Sequence, residues 1–99
     1  MAKFDIHRRL NGPGYLLDLQ ANILNSLNTR FVAPLLPPGE APRPAARLNP
    51  TFDIAGERFV MVTQFVGAVP VSALGERVGS LVAEETTVLD AIDMLIGGC

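Results

Sequence analysis

The chain has 99 residues, 48% hydrophobic and 18% charged, with a net charge of -2 and a pI near 5.2. That length makes one domain over residues 1–99, able to bury roughly 60 to 70 per cent of the surface its unfolded form exposes. The composition excludes a disordered chain, a bilayer-crossing run of about 18 apolar residues, and, being acidic, a broad phosphate-tracking surface. A protein partner is therefore expected rather than a membrane or direct nucleic-acid binding. Cys99 is the one cysteine, so no intrachain disulfide forms, and the first residues lack the apolar run of a secretory leader; the expected location is the cytoplasm.

Residues 3–7 alternate, Phe4 and Ile6 on one face and Asp5 and His7 on the other, the period of a half-buried strand. Asn11, Gly12, Pro13 and Gly14 then turn the chain. Residues 15–20 read as a second strand that completes a hairpin, with Leu17 and Leu19 inward and Asp18 and Gln20 opposite. Residues 21–28 hold Ile23, Leu24 and Leu27 at helical spacing, but three asparagines and Ser26 favour an irregular connection. Residues 30–36 return to strand character, with an end or bulge expected at Pro34.

Six of the eight prolines fall between Pro34 and Pro50, which predicts a stiff, partly extended surface loop. A hairpin follows, residues 51–55 and 58–65 around Ala55, Gly56 and Glu57, with Phe59 and Met61 or their alternates turned to the core. Residues 69–74 form another strand, placed at an edge or bulge by Pro70 and ended by Gly75, and residues 76–82 lead onward. Residues 83–99 carry Val88, Leu89, Ile92, Leu95 and Ile96 on one side, with Ala91 filling in and Asp90 and Asp93 toward water, the pattern of an amphipathic helix. Glu84 and Glu85 suit its first turn, and Gly97 and Gly98 its stop. Short strands and one closing helix make a mostly β, α+β architecture, a small antiparallel barrel or sheet with the helix laid against it.

Little in the chain can make or break bonds. One histidine, His7, and one cysteine cannot supply a zinc site or a nucleophile with its base. Asp18, Asp53, Asp90 and Asp93 all take outward positions in their patterns, so solvated faces account for them. No phosphate-cradling glycine motif is present, and no cofactor is expected. The apolar carboxy-terminal tip is the feature that asks for a partner.

Four stretches resemble the CcdB toxin family, poisons of bacterial DNA gyrase. They are Tyr15-Leu-Leu-Asp-Leu-Gln-Ala-Asn-Ile-Leu24, Arg30-Phe-Val-Ala-Pro-Leu35, Phe52-Asp-Ile-Ala-Gly-Glu-Arg-Phe-Val-Met-Val-Thr63 and Val69-Pro-Val-Ser-Ala-Leu-Gly-Glu-Arg-Val78. Val-Pro-Val-Ser followed by a glycine is the most specific piece, and Ala91-Ile-Asp-Met-Leu-Ile-Gly-Gly-Cys99 aligns with the family's end without a gap. The resemblance implies an SH3-like strand barrel with a C-terminal helix, in a homodimer whose helix ends lie side by side. It further implies a toxin that is not an enzyme: it traps the gyrase A subunit on cleaved DNA, and a CcdA-like antitoxin neutralises it and joins it in autoregulating transcription. Carried over residue by residue, the gyrase-binding positions are Ile23, Leu24, Asp93, Ile96, Gly97, Gly98 and Cys99. The family's tail carries aromatics where this chain has Ile96 and Gly97. Two alternatives therefore stay open. One is a relative that only sequesters antitoxin; the other is a MazF-like endoribonuclease on a related barrel, with Arg8, Arg9, Arg30 and Arg58 lining an RNA surface and His7 as acid or base.

Overall fold

A computed structural model describes residues 1–98. Seven strands run in the order Asp5–Arg9 (β1), Tyr15–Asp18 (β2), Thr29–Leu36 (β3), Thr51–Ile54 (β4), Glu57–Met61 (β5), Gly67–Pro70 (β6) and Leu74–Ser80 (β7), and one helix, Glu85–Gly97 (α1), closes the chain. The strands form one curled antiparallel sheet ordered β4-β5-β3-β2-β1-β7, with β6 attached to β3. This is the expected mostly strand, barrel-like sheet with a terminal helix.

Strand β3 is the spine, and Pro34 shows how it serves two neighbours. The strand runs through this proline to Leu36 instead of ending there. Thr29 to Val32 pair with β6, while Leu35 and Leu36 pair with β5. The Pro34 carbonyl accepts the Val62 amide at 2.9 Å, so the nitrogen that lacks a proton faces the same side, in the interval where β3 leaves one partner for the other. No ladder bond is lost there.

Both hairpin expectations hold, since β1 pairs with β2 and β4 with β5. Ala55 and Gly56 take positive φ at the second turn, 54° and 82°, the twist a two-residue hairpin demands. The strand after it stops at Met61, and a 3-10 turn takes Thr63–Phe65. The expected strand over residues 69–74 is divided: β6 stops at Pro70, a 3-10 turn takes Val71–Ala73, and β7 begins at Leu74. Gly75 thus lies inside a strand, and residues 76–80 pair with β1 rather than leading to the helix. The cause is close approach: a Cβ on Gly75 would sit 2.7 Å from the Arg8 carbonyl oxygen.

The core gathers one parity of side chains, among them Phe4, Ile6, Leu17, Leu35, Phe59 and Met61, beneath Leu81, Val88 and Ala91. Val32, Leu36, Val60 and Val62, of the other parity, are buried as well. Both faces of the sheet are covered, which corrects the outward placement of Asp5, His7, Asp18 and Gln20: all four are buried. The proline-rich segment lacks regular structure apart from a 3-10 turn at Pro38–Glu40. Buried Asn49 straps it down, donating to the Met61 carbonyl at 3.0 Å and to Gln64 Oε1 at 2.7 Å.

Candidate functional site

The helix is buried at one end and overhangs at the other. Val88, Ile92 and Ile96 recur at four-residue spacing on one stripe. Along it burial falls from complete at Val88, through half-buried Ile92, to 77% exposure at Ile96. Ala91 and Leu95 repeat the trend, from 0% to 38%. The stripe that forms core under the sheet therefore projects as an apolar tip beyond it. Gly98 ends the helix in the left-handed conformation at φ 73°, its amide donating to the Met94 carbonyl at 3.1 Å, as the glycine pair predicts. Asp93 lies exposed one turn before the tip. Cys99, expected to take part, lies outside the described residues.

Ile23 and Leu24 occupy a separate element, a 3-10 turn at Asn22–Leu24 within the 21–28 connection. Ile23 is 89% exposed, and Leu24 and Leu27 are 45% and 49%. The predicted contact residues thus lie on two elements, the end of α1 and this connection, and Ile23 and Ile96 are the most exposed of their apolar residues. Leu27, at helical spacing from Ile23 and Leu24, is a further exposed apolar residue of the same connection.

Beneath the connection lies a polar cluster that alternation conceals. Arg30, 1% exposed, directs Nε at 3.0 Å and also Nη2 to Oδ2 of Asp18, which is 0% exposed, and Nη1 at 2.8 Å to Asn25 Oδ1. The other Asp18 oxygen accepts the Gln20 amide at 3.0 Å. Such a pair is tolerable in the interior because each charge is hydrogen-bonded by the other.

A second cluster surrounds His7. Its Nδ1 lies 3.1 Å from the Gly75 carbonyl, and Nε2 is buried without a hydrogen-bond partner among the described residues. Asp5 accepts the Ala2 amide at 2.9 Å and pairs with Arg77 at 3.0 Å. Burial pushes the Asp5 carboxyl up, but the Ala2 hydrogen bond, the Arg77 guanidinium and the charge of His7 outweigh it and hold the group below its ordinary value.

The arginines weighed for an RNA surface are each engaged elsewhere. Arg8 bonds Glu76 at 2.7 Å, Arg9 the Pro13 carbonyl at 2.8 Å, Arg58 Asp53 at 3.2 Å, and Arg30 is spent inside. His7 is 4% exposed, so the structure does not assemble these five into one open site. A cleft of about 410 Å³ between the β4–β5 hairpin and the start of α1 contains Asp53, Arg58, Glu84 and Thr87, without a histidine or cysteine. Among the described residues no three His, Cys, Asp or Glu converge to hold a metal, and no helix is long and apolar enough to cross a membrane.

Comparison with known proteins adds two findings. A family model described as CcdB protein matches residues 3–98. Among solved structures, the chain superposes on the Mycobacterium tuberculosis toxin MazF-mt6 with a TM-score of 0.78 at 20% identity, covering 93% of this chain and 95% of that one. It superposes on a mycobacterial endoribonuclease in complex with its cognate antitoxin with a TM-score of 0.77 at 14% identity, covering 98% and 95%. A third structure, described as an Mtb toxin, gives 0.70 at 22% identity, covering 89% and 94%. At these identities the likeness is one of fold.

Proposed function

This chain belongs to the CcdB family, and from that premise we propose that it is the toxin of a toxin–antitoxin module, acting by docking and not by catalysis. Its target is the DNA gyrase A subunit, met by a homodimer through the α1 tip (Asp93, Ile96, Gly97, Gly98 and Cys99) and through Ile23 and Leu24. A CcdA-like antitoxin is its neutralising partner.

The observation that carries this reading is the overhanging stripe. An isoleucine 77% exposed at the end of a helix whose same face is core upstream is apolar area held ready for another macromolecule. The mechanism is a population shift. The toxin binds the cleaved-DNA state of gyrase more tightly than the religated state, and the difference in affinity holds the enzyme there.

A second reading, an endoribonuclease, draws support from the MazF-type fold likeness. Against it stands the burial of His7 and Arg30, the imidazole and one of the four arginines that it would use. The third, antitoxin sequestration without poisoning, rests on Gly97 where the family carries an aromatic. Purified protein incubated with gyrase, plasmid and ATP, and separately with RNA, distinguishes the three. Trapped linear DNA is the expected result. RNA fragments would establish the nuclease, and neither product, with antitoxin still bound, the sequestering role.

A further inference from the structure

Residues 21–28 are exposed throughout, their apolar side chains included. Loops commonly turn polar side chains to water and apolar ones inward. Here Ile23, Leu24 and Leu27 face solvent as well, while the exposed Asn22 and Asn25 bond back to the body through their side chains and Asn28 through its backbone. Asn22 Oδ1 accepts the Lys3 amide at 2.8 Å, Asn25 Oδ1 accepts Arg30 Nη1 at 2.8 Å, and the Asn28 carbonyl accepts the Val71 amide at 2.9 Å. Inside the segment, amides of Leu24, Asn25 and Leu27 donate to carbonyls three residues back, at 2.9, 3.1 and 3.1 Å. Gln20 Nε2 holds the Leu24 carbonyl from below at 3.0 Å.

Arg30, together with Gln20, links this segment to the interior. Two of its nitrogens are fixed by the buried Asp18 carboxylate. Because the guanidinium is a rigid planar fork, those two bonds also fix the third nitrogen, which is the one that reaches Asn25. The loop is thereby referenced to β2 and β3 and not left to its own turns.

We propose that Arg30, clamped by Asp18, is a positioning residue that holds residues 21–28 as a preformed apolar knuckle, with Leu27 joining Ile23 and Leu24 as partner-contact residues. This rests on the docking reading above. A knuckle ordered before the encounter spares the complex the entropy of ordering it.

The test leaves the buried pair intact by altering the loop end of the bond. Asn25→Ala removes the acceptor, Asn25→Asp keeps one, and Ile23→Asp spoils the contact surface. Each full-length variant is compared with the parent in amide hydrogen exchange, urea unfolding midpoint and growth inhibition. Asn25→Ala should speed exchange at the Leu24 and Leu27 amides at least about tenfold, well beyond the uniform change that its lowered urea midpoint predicts for the rest of the chain. Inhibition should fall at least about fivefold, and Asn25→Asp should restore both. If Asn25→Ala alters neither exchange nor inhibition while Ile23→Asp abolishes inhibition, the positioning role is overturned and the docking reading stands. If Ile23→Asp is as toxic as the parent, the contact role of the knuckle falls as well. A parent that does not inhibit growth overturns the docking reading, and the exchange experiment then decides the role of Arg30 by itself.

Discussion

Asp18 and Arg30 depend on each other, because at 0% and 1% exposure neither charge has water to fall back on. Asp18→Ala should therefore cost about 3–5 kcal/mol, read from the urea midpoint at neutral pH, since it strands a cation in the interior. Replacing both by apolar residues of similar volume should cost much less, because no charge is then left uncompensated. Asp5 makes a different prediction, one of pH. Its carboxyl titrates below the ordinary 3.8 in the folded state, so its stabilisation is present above that value and is lost as the pH falls through the lower, folded one. Asp5→Asn should flatten the acid limb of a plot of unfolding midpoint against pH and leave the neutral region's slope unchanged. The alternating pattern indicated correctly that Leu17 and Leu19 are inward. It misplaced Asp18, because period two reports which side a residue faces and not whether that side is covered. The partner that makes burial tolerable, Arg30, lies 12 positions away, and no local pattern joins the two.

Strand β7 teaches the same lesson for whole elements. Glycine and proline punctuation in residues 67–80 suggested a strand stopping at Gly75, whereas the glycine marks where one backbone passes close over another. Gly14 is a sharper case: its φ is 95°, and a Cβ there would lie 2.3 Å from the Leu35 carbonyl oxygen. Gly14→Ala should lower stability by roughly 2 kcal/mol or more, combining left-handed strain with a backbone clash. Gly39→Ala, with nothing within 4 Å, should leave the melting temperature nearly unchanged, and the two variants measured together isolate the close approach. The helix was the most legible element, because its stripe and its glycine stop are both written locally. What periodicity withheld is where the body ends beneath it. Ile96 shares the stripe of Val88 yet lies beyond the core, so Ile96→Glu should change stability by no more than about 0.5 kcal/mol. The same variant should abolish growth inhibition, measured by plating with and without induction.

At the scale of the molecule, the fold class and the chain's family were readable from the residues, while the burial on both faces of the central strands and the overhang of the helix end were not. Those depend on how the sheet curls, a property of all the pairings at once. The homodimer proposed with the gyrase contact makes a prediction of its own: the 10.6 kDa chain should sediment at twice its mass at micromolar concentration. Its melting temperature should rise with protein concentration, since association stabilises the folded state by mass action. A concentration-independent melting curve at monomer mass would remove the dimer from the proposal. The pairing of β1 with β7 sets Asp5 opposite Ser80, and the His7 side chain reaches the Gly75 carbonyl 68 residues along the chain. Contacts of such long separation are slow to close. During synthesis the first strand must wait for its outer neighbour until most of the polypeptide has left the ribosome, so an interrupted translation product lacks both the finished scaffold and the helix tip. The apolar tip is thus completed only at the end of synthesis, at the moment when the sheet that carries it can close.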